Sequence, residues 1–334
     1  MILDRRSFVA AAAVIGAGAR QARAAAGRKL TLGMLHTLSP APIYIAQGRG
    51  YFSDQGLDVE FVFFDAAQPI AAAAVAGDID VGITALTGGF FNLAEKGALR
   101  VIGGGLHEEK GAQGIALLAS NKAYAAGLTS PAKLANHTVA ITQYGSSFHY
   151  ILGRLAQLDG FDLKSIDMRP VQSIQNMLAA VGTNQVDATF AIASQAKAAA
   201  AAGRAHIIAW IGDLLPYQLT ALFTTERMIK SRTEDLRRFC NAYRHGIDDY
   251  HAAFFSGPPG MAADAVIPLI EKYVYTGDPD ARAKILAGVS TYSARGALDV
   301  KDVEAQLAWF RAQGLVKGDA DPKSLIDTSF LSAL

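Results

Sequence analysis

The chain has 334 residues, 51% of them hydrophobic, with 31 Lys and Arg balancing 30 Asp and Glu. That composition excludes a disordered chain and a basic nucleic-acid-binding one, and it suits two or three domains or one large two-lobed unit. The single cysteine, Cys240, excludes an intramolecular disulfide.

The first segment, MILDRRSFVAAAAVIGAGARQARA, is basic, then apolar from Phe8 to Ala19, then small-x-small at Ala22-Arg23-Ala24. This is the pattern of a secretory signal, and residues 1–26 are expected to be one. Arg5-Arg6-Ser7-Phe8-Val9 resembles a twin-arginine export signal, from whose fuller form Asp4 and Ala10 depart. An apolar run of about 12 residues is too short to span a bilayer. Cys240 falls in LRRFCNAYRHGI, where it shares a helical face with Leu236, Phe239, Tyr243 and Ile247, so it is expected to be buried filler.

From residue 29 strands and helices alternate. Residues 29–35, 57–64, 79–83 and 99–104 read as strands, with helices at 42–52, 69–77 and 86–97 between them. A second series follows, with extended pieces at 114–120, 137–142, 166–171, 185–191 and 205–210. Its helices fall at 147–159, 172–182 and 195–203. Such βα repetition predicts parallel sheets covered by helices. VAGDIDVGI (75–83) and VGTNQVDATF (181–190) echo each other: each has a glycine helix stop, a turn, and an Asp opening a buried strand. After residue 218 the pattern turns helical, over roughly 233–254, 260–274, 280–288 and 301–312. Two lobes are therefore expected, 30–115 with 222–334 and 120–217, joined by extended crossovers near 114–120 and 218–224.

Ligands of open α/β sheets lie beyond the carboxyl ends of the strands. The loops there hold His36, Thr37 and Ser39; Thr84 and Ala85, with Thr87 close by; His107; Tyr144, Gly145, Ser146 and Ser147; Ile192; and Tyr217. Tyr44 stands near the first of them. YGSS at 144–147 is the sharpest signal, a glycine and two hydroxyls where a strand turns into a helix. Free N–H groups and the dipole at such a start suit an anionic or strongly polar group. No Arg or Lys sits at the centre of these loops, so a neutral polar ring is equally allowed. The spacing of His36, His107 and His149 matches no compact metal-ligand pattern. Neither a G-x-S-x-G elbow nor a nucleotide-binding glycine motif is present, and no cofactor is called for.

PIYIAQGRGYFSDQGLDVEFVFF, AVAGDIDVGITA, EKGALRVIGG and SPAKLANHTVAITQYGSSFHYILGRLAQLDG resemble the solute-binding components of ABC importers. The closer resemblance is to the group that binds nitrate, sulfonates or taurine, and thiamine-precursor pyrimidines (NMT1/THI5-like). It covers roughly residues 30–220. It implies an α/β, two-lobed periplasmic binding fold of type II, with two crossovers and the C-terminal helices packed on the first lobe. The scarcity of enzyme motifs favours binding over catalysis. The expected role is capture of a small organic anion, a sulfonate or a carboxylate, and its delivery by a monomeric periplasmic protein to an inner-membrane permease and its ATPase. Ligand contacts implied by the family fall on His36, Thr37, Ser39, Thr84, Ala85, Gly145 and Ser146. The basic side chain of some sulfonate binders is not evident. A neutral pyrimidine-like solute, a sensor for a membrane receptor and a small-molecule hydrolase using Ser146 with a nearby histidine are the alternatives.

Overall fold

The computed structural model of the chain describes residues 27–334, and the expected export signal lies outside the described residues. The strands in chain order are β1 (Arg28–Leu35), β2 (Leu57–Phe64), β3 (Val81–Ala85), β4 (Leu99–Gly104), β5 (His107–Glu108), β6 (Ile115–Ser120), β7 (Thr138–Ile141), β8 (Asp167–Pro170), β9 (Ala188–Ile192), β10 (Ala205–Trp210), β11 (Tyr217–Gln218) and β12 (Thr220–Thr225). They form two five-stranded sheets, β2-β1-β3-β12-β4 and β10-β6-β9-β7-β8, and a small β5-β11 ribbon.

Neither large sheet is purely parallel, as the βα repetition predicts. In the first, β12 runs antiparallel to both β3 and β4; in the second, β6 runs antiparallel to both β9 and β10. These reversed strands are the segments expected to be crossovers. The passage between the lobes is instead the short antiparallel ribbon, in which Tyr217 faces Glu108 and Gln218 faces His107. The chain crosses on β5 and enters the second sheet as β6. It returns on β11 and enters the first sheet as β12. A strand that arrives from the opposite lobe runs against its neighbours, so crossing and reversal are one event.

The echoed motifs do the same structural work twice. Asp80 Oδ2 accepts from the backbone N–H and hydroxyl of Thr31 at 2.9 and 3.2 Å, and its own N–H donates to Thr31 Oγ1 at 3.0 Å. Asp187 and Thr138 repeat this at 2.9, 3.0 and 2.9 Å. In both lobes the aspartate opening one buried strand is thereby tied to a threonine in its parallel neighbour.

The long amphipathic helix Thr233–Phe254 packs on the first lobe, against Ala41–Gly48 and Tyr51–Asp54, with Phe239 stacked on Phe52 at 5.1 Å. Cys240 is buried on it, and burial pushes its thiol up to about 12. Met261–Glu271 packs on the same face. The last two helices also reach the second lobe. Ala281–Ala287 packs on Ala193–Ala201, where Lys197 Nζ donates to Ala287 O at 2.7 Å. Val300–Ala312 lies between Gly88–Glu95 of the first lobe and Ser147–Asp159 of the second. Among the described residues no helix is long and apolar enough to cross a membrane.

Candidate functional site

The carboxyl ends of β1, β2, β3, β7 and β9 converge on one cavity of about 50 Å³ between the sheets. In this measure a single water needs about 10–15 Å³, so the space fits a compact group of a few heavy atoms. The first lobe contributes Leu35, Thr37, Ser39, Ala66, Ala67, Gln68, Ala85 and Thr87 to the wall. The second contributes Thr142, Gln143, Ser146, Ser147, Phe148, Ile174 and Ile192. Ile115, Leu219 and Thr220, beside the connecting ribbon, close the back.

Five helices begin at this wall: Ala67–Ala76, Gly88–Glu95, Ser147–Asp159, Ile174–Gly182 and Ala193–Ala201. Each first turn leaves N–H groups without helical partners and adds the positive end of a peptide dipole. The starts at Ala66 and Ile192 are capped by no side chain. At the others a hydroxyl caps the third N–H, from Thr87 to Phe90 at 3.1 Å, from Ser146 to His149 at 3.4 Å and from Ser173 to Asn176 at 3.1 Å. Among the described residues no Lys, Arg, His, Asp or Glu stands in the wall. The arrangement can neutralise one anionic group with N–H dipoles and hydroxyls and hold a short apolar body against Leu35, Phe148, Ile174 and Ile192.

Of the residues expected from sequence, Thr37, Ser39, Ala85, Ser146, Ser147 and Ile192 stand in the wall. His36 does not: its Nε2 meets Tyr273 O at 2.6 Å and its ring lies 4.6 Å from Phe63. Tyr44 is fully buried behind the first loop, donating to Thr37 O at 3.1 Å and stacking on Tyr273, so it supports the loop from beneath. Thr84 is on the face of β3 opposite Ala85, because strand side chains alternate; its hydroxyl is buried without a partner. His107 and Tyr217 belong to the connecting ribbon. His107 Nε2 is 3.5 Å from Asp299 Oδ2, and Tyr217 packs on Tyr150 with its hydroxyl buried and unpartnered.

Tyr144 is 54% exposed and donates to Met168 O at 3.3 Å, on the outer side of the turn. Gly145 spends both backbone groups elsewhere. Its N–H donates to His149 Nδ1 at 3.1 Å, and its carbonyl accepts from Gly88 N of the opposite lobe at 2.9 Å. Ser146 is not paired with a histidine ring: what its Oγ accepts is the backbone N–H of His149, whose Nδ1 is already taken by Gly145.

Gln68, Thr142, Gln143 and Thr220 were not foreseen. Gln143 Nε2 donates to Gln68 Oε1, a second bond across the cleft beside that of Gly88 and Gly145. Thr142 and Gln143 immediately precede the YGSS turn, and that adjacency was the available signal.

Two α/β lobes with paired crossings and strand ends meeting at one interlobe cavity define a bilobal periplasmic-binding-protein fold. The chain belongs to the NMT1/THI5-like family, matched over residues 38–253. Among solved structures it resembles the alkanesulfonate-binding protein SsuA from Xanthomonas axonopodis pv. citri bound to MOPS, with a TM-score of 0.71 and 19% identity, covering 90% of this chain and 98% of that one. It also resembles the periplasmic aliphatic sulphonate binding protein SsuA of Escherichia coli, with a TM-score of 0.69 and 18% identity over 92% and 94% of the two chains. The periplasmic nitrate-binding protein NrtA of Synechocystis gives a TM-score of 0.67 and 14% identity over 89% and 84%. No curated protein gives a significant sequence match.

Proposed function

We propose that the protein is the substrate-binding component of an ABC import system, acting in the periplasm and handing a small organic anion to a membrane permease and its ATPase. The observation that carries this reading is the convergence of five helix N-termini on a cavity whose wall holds no charged side chain. Its dimensions favour a compact head, a sulfonate or carboxylate, on a short apolar body. Family membership and the likeness to sulfonate- and nitrate-binding folds support the class. Binding would work on the shut arrangement: a solute touching both lobes adds its differential affinity to the interlobe bonds of Gly88 with Gly145 and Gln68 with Gln143. The site does not favour hydrolysis, since Ser146 has no imidazole positioned to take its proton.

The test is a thermal-shift and calorimetric panel of methanesulfonate, benzenesulfonate, benzoate, acetate, nitrate and a neutral aminopyrimidine on the purified protein. At least one small sulfonate or carboxylate is expected to raise the Tm and bind with 1:1 stoichiometry. Stabilisation by the neutral ring with no response to any anion would overturn the choice of solute in favour of the amides of Gln68 and Gln143 reading a heterocycle.

A further inference from the structure

The cavity does not explain why His149 is buried one turn into the helix Ser147–Asp159. It is 6% exposed and absent from the cavity wall. Its ring meets the rings of Tyr144 at 5.9 Å and Trp309 at 5.4 Å, both edge-on. Its Nδ1 accepts the Gly145 N–H at 3.1 Å, so the imidazole is neutral with its proton on Nε2. Its backbone N–H reaches back to Ser146 Oγ. One residue thus braces two consecutive residues of the turn.

That turn joins the lobes. Gly145 sits at φ +78°, the left-handed region that glycine tolerates best. In this conformation its carbonyl accepts from Gly88 N, the first N–H of a helix in the opposite lobe. A carbonyl of one lobe occupies a donor that would otherwise face the cleft. Gln143, two residues earlier, bonds Gln68 across the same gap.

We propose that His149 is a positioning residue for lobe closure, holding the Gly145 turn in the one geometry that lets its carbonyl latch onto Gly88. This role does not depend on which solute the cleft takes. The ring must be neutral to accept, because protonation turns Nδ1 into a donor facing the Gly145 N–H. Burial alone pushes the His149 ring down, to about 4. No charged side chain contributes to that displacement; the groups around the ring are the aromatic rings of Tyr144 and Trp309, and on its own helix Arg154 is engaged with the Tyr150 hydroxyl at 2.9 Å. The latch is therefore set at neutral pH and released in acid.

Small-angle scattering of the full protein, without added solute, tests this against variants whose fold is checked by circular dichroism. The native protein is expected to be compact at pH 7 and to expand as pH falls from about 6.5 towards about 4. His149→Asn, which keeps an acceptor near Nδ1 but does not ionise, should stay compact at both values. His149→Phe keeps a ring against Trp309 without an acceptor, and should be expanded at pH 7. Gly145→Val, a β-branched residue that resists positive φ, should be expanded too. A folded His149→Phe protein as compact as the native one at pH 7 overturns the proposal. So does expansion of His149→Asn in step with the native protein, which would place the acid response on other groups. If His149→Phe does not fold, Gly145→Val and the His149→Asn profile decide between the same two results.

Discussion

Glu108 shows how much a single residue can add to pH dependence. It is 2% exposed, opposite Tyr217 in the connecting ribbon, and its Oε2 is buried without a hydrogen-bond partner. Burial pushes its carboxyl up to about 8; Asp213 adds to this, and the N–H groups of Ile115 and Gly212 oppose it. Below the unfolded value of about 4.5 both folded and unfolded chains hold the proton, and the group has no effect on stability. Between 4.5 and 8 the unfolded chain releases its proton while the folded one keeps it, so stability falls as pH rises. Glu108→Gln cannot ionise. It should melt above the native protein at pH 8.5, by roughly 2–4 kcal/mol of stability, with the gap closing towards pH 4.5. An equal gap at both pH values would show that shape, not ionisation, separates the two. At this scale the sequence revealed hydroxyls better than amides. Ser146, Ser147, Thr37 and Ser39 were legible because small polar residues at a strand end have few other reasons to be there. Gln68 was not, because it belongs to a helix start after β2 that carries no glycine or hydroxyl punctuation. Gly145 was legible as special, but its purpose, a bond to the other lobe, depends on a partner 57 positions away in sequence, at Gly88.

The helix Val300–Ala312 ties elements that the sequence pattern left apart. Arg311 Nε donates to Glu95 Oε1 at 2.9 Å on the first lobe, while Trp309 packs at 5.4 Å from both His149 and Tyr150 on the second. Its helical period was readable, but its neighbours were not, because a stripe of apolar residues does not say which surface it covers. The exact place of the crossovers is hidden in the sequence for a related reason. IALLAS and TALFTT are extended in either reading, and only the sheet order shows that they are internal strands. Gly153 is the point where Trp309 enters: a Cβ there would lie 2.0 Å from Trp309 Cζ2. Gly153→Ala must push the indole, and with it the helix, off the second lobe. The expected cost is about 1–3 kcal/mol, as for other overpacked contacts. It should be visible as a lower Tm together with a red shift of tryptophan emission as the 6%-exposed indole gains water. An unchanged Tm and emission spectrum would mean that this helix moves without resistance and does not bridge the lobes.

For the whole molecule, two lobes were legible because βα alternation is local, and the twin aspartate motifs at 80 and 187 mark the start of a strand in each. The pattern marks one helix start, at YGSS, and the lack of Arg and Lys in the loops; what it does not give is that five helix starts are aimed at the same space. The chain is nearly neutral, at +1 overall, and the cavity wall carries no ionised side chain. If the solute is the small organic anion proposed above, its attraction must come from helix ends, whose influence fades within a turn. A clamp of arginines would act farther out and would steer ions from solution, with an association rate that falls steeply with salt. Raising salt from about 10 mM to about 1 M shortens the Debye length from about 30 to about 3 Å, which removes steering but leaves contact-range dipoles and hydrogen bonds in place. Stopped-flow measurements with whichever anion stabilises the protein should accordingly give an association rate that changes less than about threefold across that range. A fall of a factor of ten or more would mean that basic residues outside the wall gather the ion first, and that helix starts alone are not what draws the solute in.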